Sequence, residues 1–201
     1  YNGQIKENKV HAAVIDLDVG YRDLQQCADA VIRLRSEYLY VRKLYGLIHF
    51  NFTNGFRADY AKWALGYRIE VKENQVKWIH KSETSYEYGI FRQYLDVVFT
   101  YAGTYSLAQE MVSVQYRDVH PGDVFIRGGS PGHAVIVVDI AVNKTTGQKI
   151  FLLAQSYMPA QDIHILINPS EPDLSPWYKM DPEDETIRTP EWEFGSDEVK
   201  R

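Results

Sequence analysis

The strongest constraint on this chain lies between Val119 and Met158, where VHPGDVFIRGG, SPGHAVIVVDIAV and QKIFLLAQSYM follow one another with only glycine-rich or TTG breaks between them. Segments this rich in β-branched and aromatic residues, separated by turn signals too short for a crossover helix, predict an antiparallel meander that forms the main sheet. If the last hairpin closes at Thr145 to Gly147, His133 falls opposite Tyr157 or Met158. That one-residue choice of register decides whether Gln155 or Ser156 shares the face of His133, because side chains alternate sides along a strand. The oxygen of a glutamine suits a ring N–H, so Gln155 is the expected neighbour.

Ahead of the sheet the texture is mostly helical. Residues 10 to 19, VHAAVIDLDV, alternate and then run apolar, which predicts a strand ended by Gly20. DLQQCADAVIRLRSEYLYVRKLY then repeats apolar residues at roughly a 3.6-residue period, a helix with Asp23 as its expected N-cap and Cys27 near its first turn on the inner face. Residues 47–87 read as an irregular insertion with a hairpin, punctuated by NG, LG and EN turn signals. A second helical stretch covers residues 88–111 with a break at Gly103, and the proline-rich tail, residues 168–201, is expected to wrap the surface as a strap. The whole, residues 1–201, reads as a single α+β domain.

Composition excludes several functions. A net charge of -5 with Lys and Arg scattered along the chain leaves no footprint for a phosphate backbone, so no nucleic-acid partner is expected. No apolar run reaches the roughly 18–20 residues that span a bilayer. The start, YNGQIKENKV, lacks the charged and apolar regions of a signal peptide, and the expectation is that an export signal or lipid anchor was lost upstream. One cysteine excludes an internal disulfide framework and a thiolate zinc cluster, and the six histidines lack metal-ligand spacing, so no metal is expected. The GGS at residues 128–130 is too short for a phosphate loop, and no cofactor is expected.

What remains is Cys27. A helix N-terminus stabilises a thiolate through unpaired N–H groups and the helix dipole, an imidazole can take and return its proton, and a third polar group can fix the imidazole tautomer. Cys27, His133 and Gln155 are the candidates for those roles, with Gly132 leaving room for close approach. Tyr21, with the Cys27 N–H, could face a developing oxyanion, while Asp16 and Asp18 could line the cleft; Ser156 is the alternative to Gln155. The structural alternatives are a core thiol, a hydrogen-bonded histidine at a strand end, and acids that are solvated or form caps.

QQCADAV, GDVFI, PGHAVIVVD and LLAQS, in that order, resemble the NlpC-type and CHAP peptidases and amidases. The resemblance implies a papain-like fold with a cysteine helix packed on an antiparallel sheet, a Cys-His-polar triad, and peptide or amide bonds of peptidoglycan as substrate. Ala28 and Asp29 stand where that pattern has small residues such as Ser-Gly. The whole chain, through DLQQCADAVIRLRSEYLY, GGSPGHAVIVVD, LLAQSYMPAQDIH and SPWY, is also similar to a bacterial family known only as domain of unknown function 4846, whose members resemble exported or lipid-anchored envelope proteins. Two functions therefore stand as expectations: a thiol hydrolase acting on cell-wall-type peptides, or a non-catalytic binding or scaffold protein of the envelope, either placed in the cell envelope or secreted.

Overall fold

A computed structural model describes residues 1–73, 75–181 and 183–201; Asn74 of the EN turn and Pro182 of the tail lie outside the described residues. The order is β1 (His11–Val14), α1 (Cys27–Val41), β2 (His49–Asn51), β3 (Arg57–Asp59), α2 (Tyr60–Ala64), β4 (Tyr67–Lys72) and β5 (Gln75–His80). It continues with α3 (Tyr88–Tyr101), α4 (Thr104–Glu110), β6 (Val124–Arg127), β7 (His133–Val142) and β8 (Lys149–Gln155). Last come β9 (His164–Leu166), β10 (Tyr178–Met180), β11 (Thr186–Arg188), β12 (Glu193–Gly195) and β13 (Val199–Lys200).

The fold is α+β. Its main sheet runs β1-β9-β8-β7-β6-β13 with every pairing antiparallel, and β10 adds to β8. Alternation along the strands builds two cores. Val124, Ile126, Ala134, Ile136 and Ala154 face the helices and pack with Ala28, Val31 and Ile32 of α1 and Phe91, Leu95 and Val98 of α3. Phe125, Val135, Val137, Phe151 and Leu153 face the other way, where Tyr178, Ile187, Phe194 and Val199 of the tail cover them. The strap is therefore the second layer of a core.

Several sequence expectations need correction. The first strand is four residues long and fully exposed at the sheet edge, and Asp16 and Asp18 stand on no strand. Beyond Ile15, whose N–H still bonds the Ile163 carbonyl, the chain leaves the sheet. It turns at Asp18, whose carboxylate accepts the Gly20 N–H at 2.9 Å. Asp23 does not cap α1: its carboxylate accepts from Gln26 Nε2 and from the Ala160 N–H, and Gln26 is the N-cap. Segment 47–87 contains the expected hairpin, β4 with β5, but Ile48, Phe50, Phe52, Ala58, Tyr60 and Trp63 are buried in the helix-side core. The helical stretch over residues 88–111 breaks at Ala102 and Gly103, as the glycine predicts.

Candidate functional site

The register that brings Gln155 to His133 is set by one extra residue. From Val142 to Asp139, β7 pairs with Lys149 to Leu152 of β8; from Val137 onward the pairing has slipped, with Val137 opposite Leu153 and Ile136 opposite Ala154. Val138 is the bulged residue, two positions on one strand facing one on the other. Had the first register run on, Met158 would oppose His133 and Ser156 would share its face. The slip brings Tyr157 opposite instead, with the His133 and Tyr157 ring centroids 5.1 Å apart. Gln155 consequently lies diagonally across from the histidine, and its Oε1 is 2.8 Å from His133 Nε2.

The surrounding network fixes the proton positions. Glu191 can only accept, so the Gln155 Nε2 that lies 2.8 Å from Glu191 Oε2 is the donating amide nitrogen. Gln155 Oε1 is then an acceptor, His133 Nε2 carries the ring proton, and Nδ1 is left as the basic nitrogen. His164, paired with Gln155 across β8 and β9, extends the chain: its Nδ1 donates to the Asp162 carbonyl at 2.9 Å, and its Nε2 is 3.5 Å from Gln155 Nε2. Lys6 forms an ion pair with Glu191 and lies 4.9 Å from the centre of the Tyr157 ring. Trp192 and Phe194 cover the imidazole, which is 2% exposed.

Cys27 opens α1, and its side chain is half-buried. The backbone amides of Ala28 and Ala134 act on its thiol by favouring the charged form; Ala134 is the residue after His133. Ala134 faces the helices and Val135 the strap. The strand pleat sets His133 on the strap side, whereas α1, which carries Cys27, packs on the helix side. The Tyr157 hydroxyl stands within electrostatic reach of the sulfur. Gly132 permits this packing, since a Cβ there would stand 2.4 Å from Thr104 Oγ1 and 2.5 Å from the Gly129 carbonyl.

Electrostatics keep both groups neutral near pH 7. Burial pushes the Cys27 thiol above its ordinary range, the Asp29 carboxyl adds to the rise, and the Ala28 and Ala134 amides pull against it. Burial likewise depresses His133, opposed by the Gln155 hydrogen bond and the Glu191 charge. Asp29, whose Oδ2 accepts the Gln26 N–H and whose buried Oδ1 has no partner among the described residues, is pushed by burial to about 8.

The remaining candidates stand apart from this chemistry. Tyr21 is 86% exposed in the bend before α1, and Asp16 and Asp18 are exposed. Ser156 is fully buried, and its one O–H proton has the carbonyls of Gln25 at 2.7 Å and Gln161 at 2.9 Å within reach, tying the approach to α1 to the loop after β8. Sequence reasoning missed Glu191 and His164. The alternation in QDIHIL could have placed His164 beside Gln155, whereas nothing local marks Glu191, which arrives from 36 residues away.

The chain belongs to the family described as domain of unknown function (4846), whose profile matches residues 1–201. No curated protein and no solved structure matches it. Among the described residues no helix is long and apolar enough to cross a membrane.

Proposed function

We propose that this protein is a thiol hydrolase with a papain-like, NlpC-type arrangement, cleaving peptide or amide bonds of cell-wall-type substrates in the envelope or outside the cell. The observation that carries the reading is the His133 Nε2 to Gln155 Oε1 contact of 2.8 Å, which leaves Nδ1 basic on the residue next to Ala134, whose amide favours the charged form of the Cys27 thiol. In the reaction the S–H proton passes to Nδ1 as sulfur attacks the carbonyl carbon. The resulting tetrahedral oxyanion collapses, the imidazolium proton goes to the leaving amine, and an acyl-thioester remains on Cys27. Water, deprotonated by His133, then releases the acid and regenerates the thiol. Gln155 stabilises the imidazolium less than a carboxylate would, but Glu191 behind it supplies a negative charge one hydrogen bond away.

The second reading, a non-catalytic envelope binding protein, is favoured by the cover of Trp192 and Phe194 over His133. Incubation with peptidoglycan fragments, followed by amine release and mass spectrometry, separates the two. The hydrolase reading expects cleavage by the wild type and none by Cys27→Ala; no product from either would favour the binding protein, and equal product from both would rule out Cys27 as the nucleophile.

A further inference from the structure

A second site lies on the helix side of the sheet, away from the thiol. A cavity of about 780 Å³ is bounded by α1, β2, α4, the turn before β6, and β7. It stands well inside the range of small-molecule pockets, roughly 300–1,000 Å³. Its floor is largely aliphatic, with Val31, Leu34, Leu107, Met111, Ile136 and Val138 contributing, and Tyr38 and Leu47 at its mouth are more than half exposed. Val31, Leu34 and Tyr38 continue along α1 the stripe that Cys27 begins, but Cys27 does not line the cavity.

The charged groups of the lining divide into two sets. Arg201 and Asp123 are closed on each other, through Nε to Oδ1 at 2.7 Å and Nη2 to Oδ2 at 2.9 Å, and Arg201 is further occupied by the Asp118 carbonyl and His120 Nδ1. Arg35 and Glu110 make no ion pair among the described residues, although both line the cavity. Glu110 is half-buried, and among the described residues its carboxylate accepts one hydrogen bond, from the Asn51 N–H to Oε1 at 2.6 Å. Beside them the buried Nδ1 of His49 has no hydrogen-bond partner among the described residues. One unpaired anion and one unpaired cation over an aliphatic floor complement a ligand that carries both charges and an aliphatic body.

We infer that this cavity binds a short aliphatic peptide with free termini, its ammonium on Glu110, its carboxylate on Arg35 and His49, and its side chains on the floor between α1 and α4. The inference does not rest on the hydrolase reading, and a protein without any turnover could carry this site. Isothermal titration of the full chain with leucyl-leucine, its N-acetyl methylamide and decanoate tests it. Leucyl-leucine should bind, and both blocked peptide and decanoate should bind at least tenfold more weakly. Arg35→Ala and Glu110→Gln, each checked for an unchanged melting temperature, should each weaken leucyl-leucine about tenfold, or about 1.4 kcal/mol. Leu107→Trp, which fills the floor, should abolish binding. Absence of leucyl-leucine binding at millimolar concentration, equal affinity for the blocked peptide or decanoate, or full affinity in both charge variants would overturn the assignment.

Discussion

Gln155 reaches His133 across two strands because Val138 is bulged out of the ladder between them. The amide is held in turn by Glu191, so its oxygen and not its nitrogen meets the ring. Gln155→Ala should lower kcat of the hydrolysis roughly ten- to a hundredfold with KM little changed, the size expected when a supporting hydrogen bond that orients a reactive group is lost. Glu191→Ala should produce a smaller fall in the same parameter, because the glutamine stays but its amide nitrogen loses the acceptor that fixes it. Steady-state kinetics on a cleaved peptidoglycan fragment checks both.

Gly132 is required by space. Gly132→Ala must displace the Gly129 carbonyl or the Thr104 hydroxyl, each within 2.5 Å of the added carbon, and so shifts the start of β7. A cost of about 1–3 kcal/mol in stability is expected, typical of forced overpacking, together with lost activity. Urea denaturation and the same kinetics measure the two effects. Gly46→Ala, where no described atom lies within 4 Å of an added carbon and φ is not left-handed, serves as the comparison for crowding.

Asp29 makes stability depend on pH. Its carboxyl titrates at about 8 in the folded chain, against about 3.9 in an unfolded one. Between those values the folded state holds a proton that the unfolded state releases. Stability from this group is therefore complete below about pH 4 and is lost as pH rises through about 8. Asp29→Asn, which keeps an oxygen for the Gln26 N–H, should raise the melting temperature relative to wild type at pH 9 and change it little at pH 4. The same substitution should lower the pH at which Cys27 ionises, since the neighbouring charge is gone.

Arg33 is 1% exposed and satisfies four partners: Glu37 at 2.7 Å, the Asp18 carbonyl at 3.1 Å, Gln25 Oε1 at 2.8 Å and the Tyr88 hydroxyl at 3.1 Å. It thereby fastens the loop that leads into Cys27. Arg33→Ala leaves Glu37 without its cation and should cost about 3–5 kcal/mol, the range for breaking a buried charge pair from one side. Thermal or urea unfolding reads the loss.

How much of this was legible follows from which interactions are local. The helix of Cys27, the break near Gly103 and the strand sequence from Val124 to Gln155 all rest on periodicity and turn residues, and the structure has them. The turn alone leaves open whether Gln155 or Ser156 shares the face of His133; the bulge at Val138 sets the register that brings Gln155 to the ring, and no residue type in VIVVD announces a bulge. Asp23 looks like a cap in sequence, yet its carboxylate is taken by an amide 137 residues away. The tail reads as a surface wrap because its prolines and acids dominate, whereas Tyr178, Ile187, Phe194 and Val199 close a core that only the folded sheet creates. The neutral state of the thiol is likewise a product of burial, which spacing from a helix start does not report.

The central claim is that His133 serves as base for the Cys27 thiol, and the rate of iodoacetamide labelling of native Cys27 at pH 7, located by peptide mass spectrometry, tests it most directly. His164 touches Gln155, so His80, at the exposed end of β5, is the proper control. The account predicts labelling at least tenfold slower in His133→Ala than in the wild type, with His80→Ala unchanged and unfolded wild type and variant labelling alike. Equal rates in native wild type and His133→Ala, or a thiol that stays inert until the chain unfolds, would contradict it.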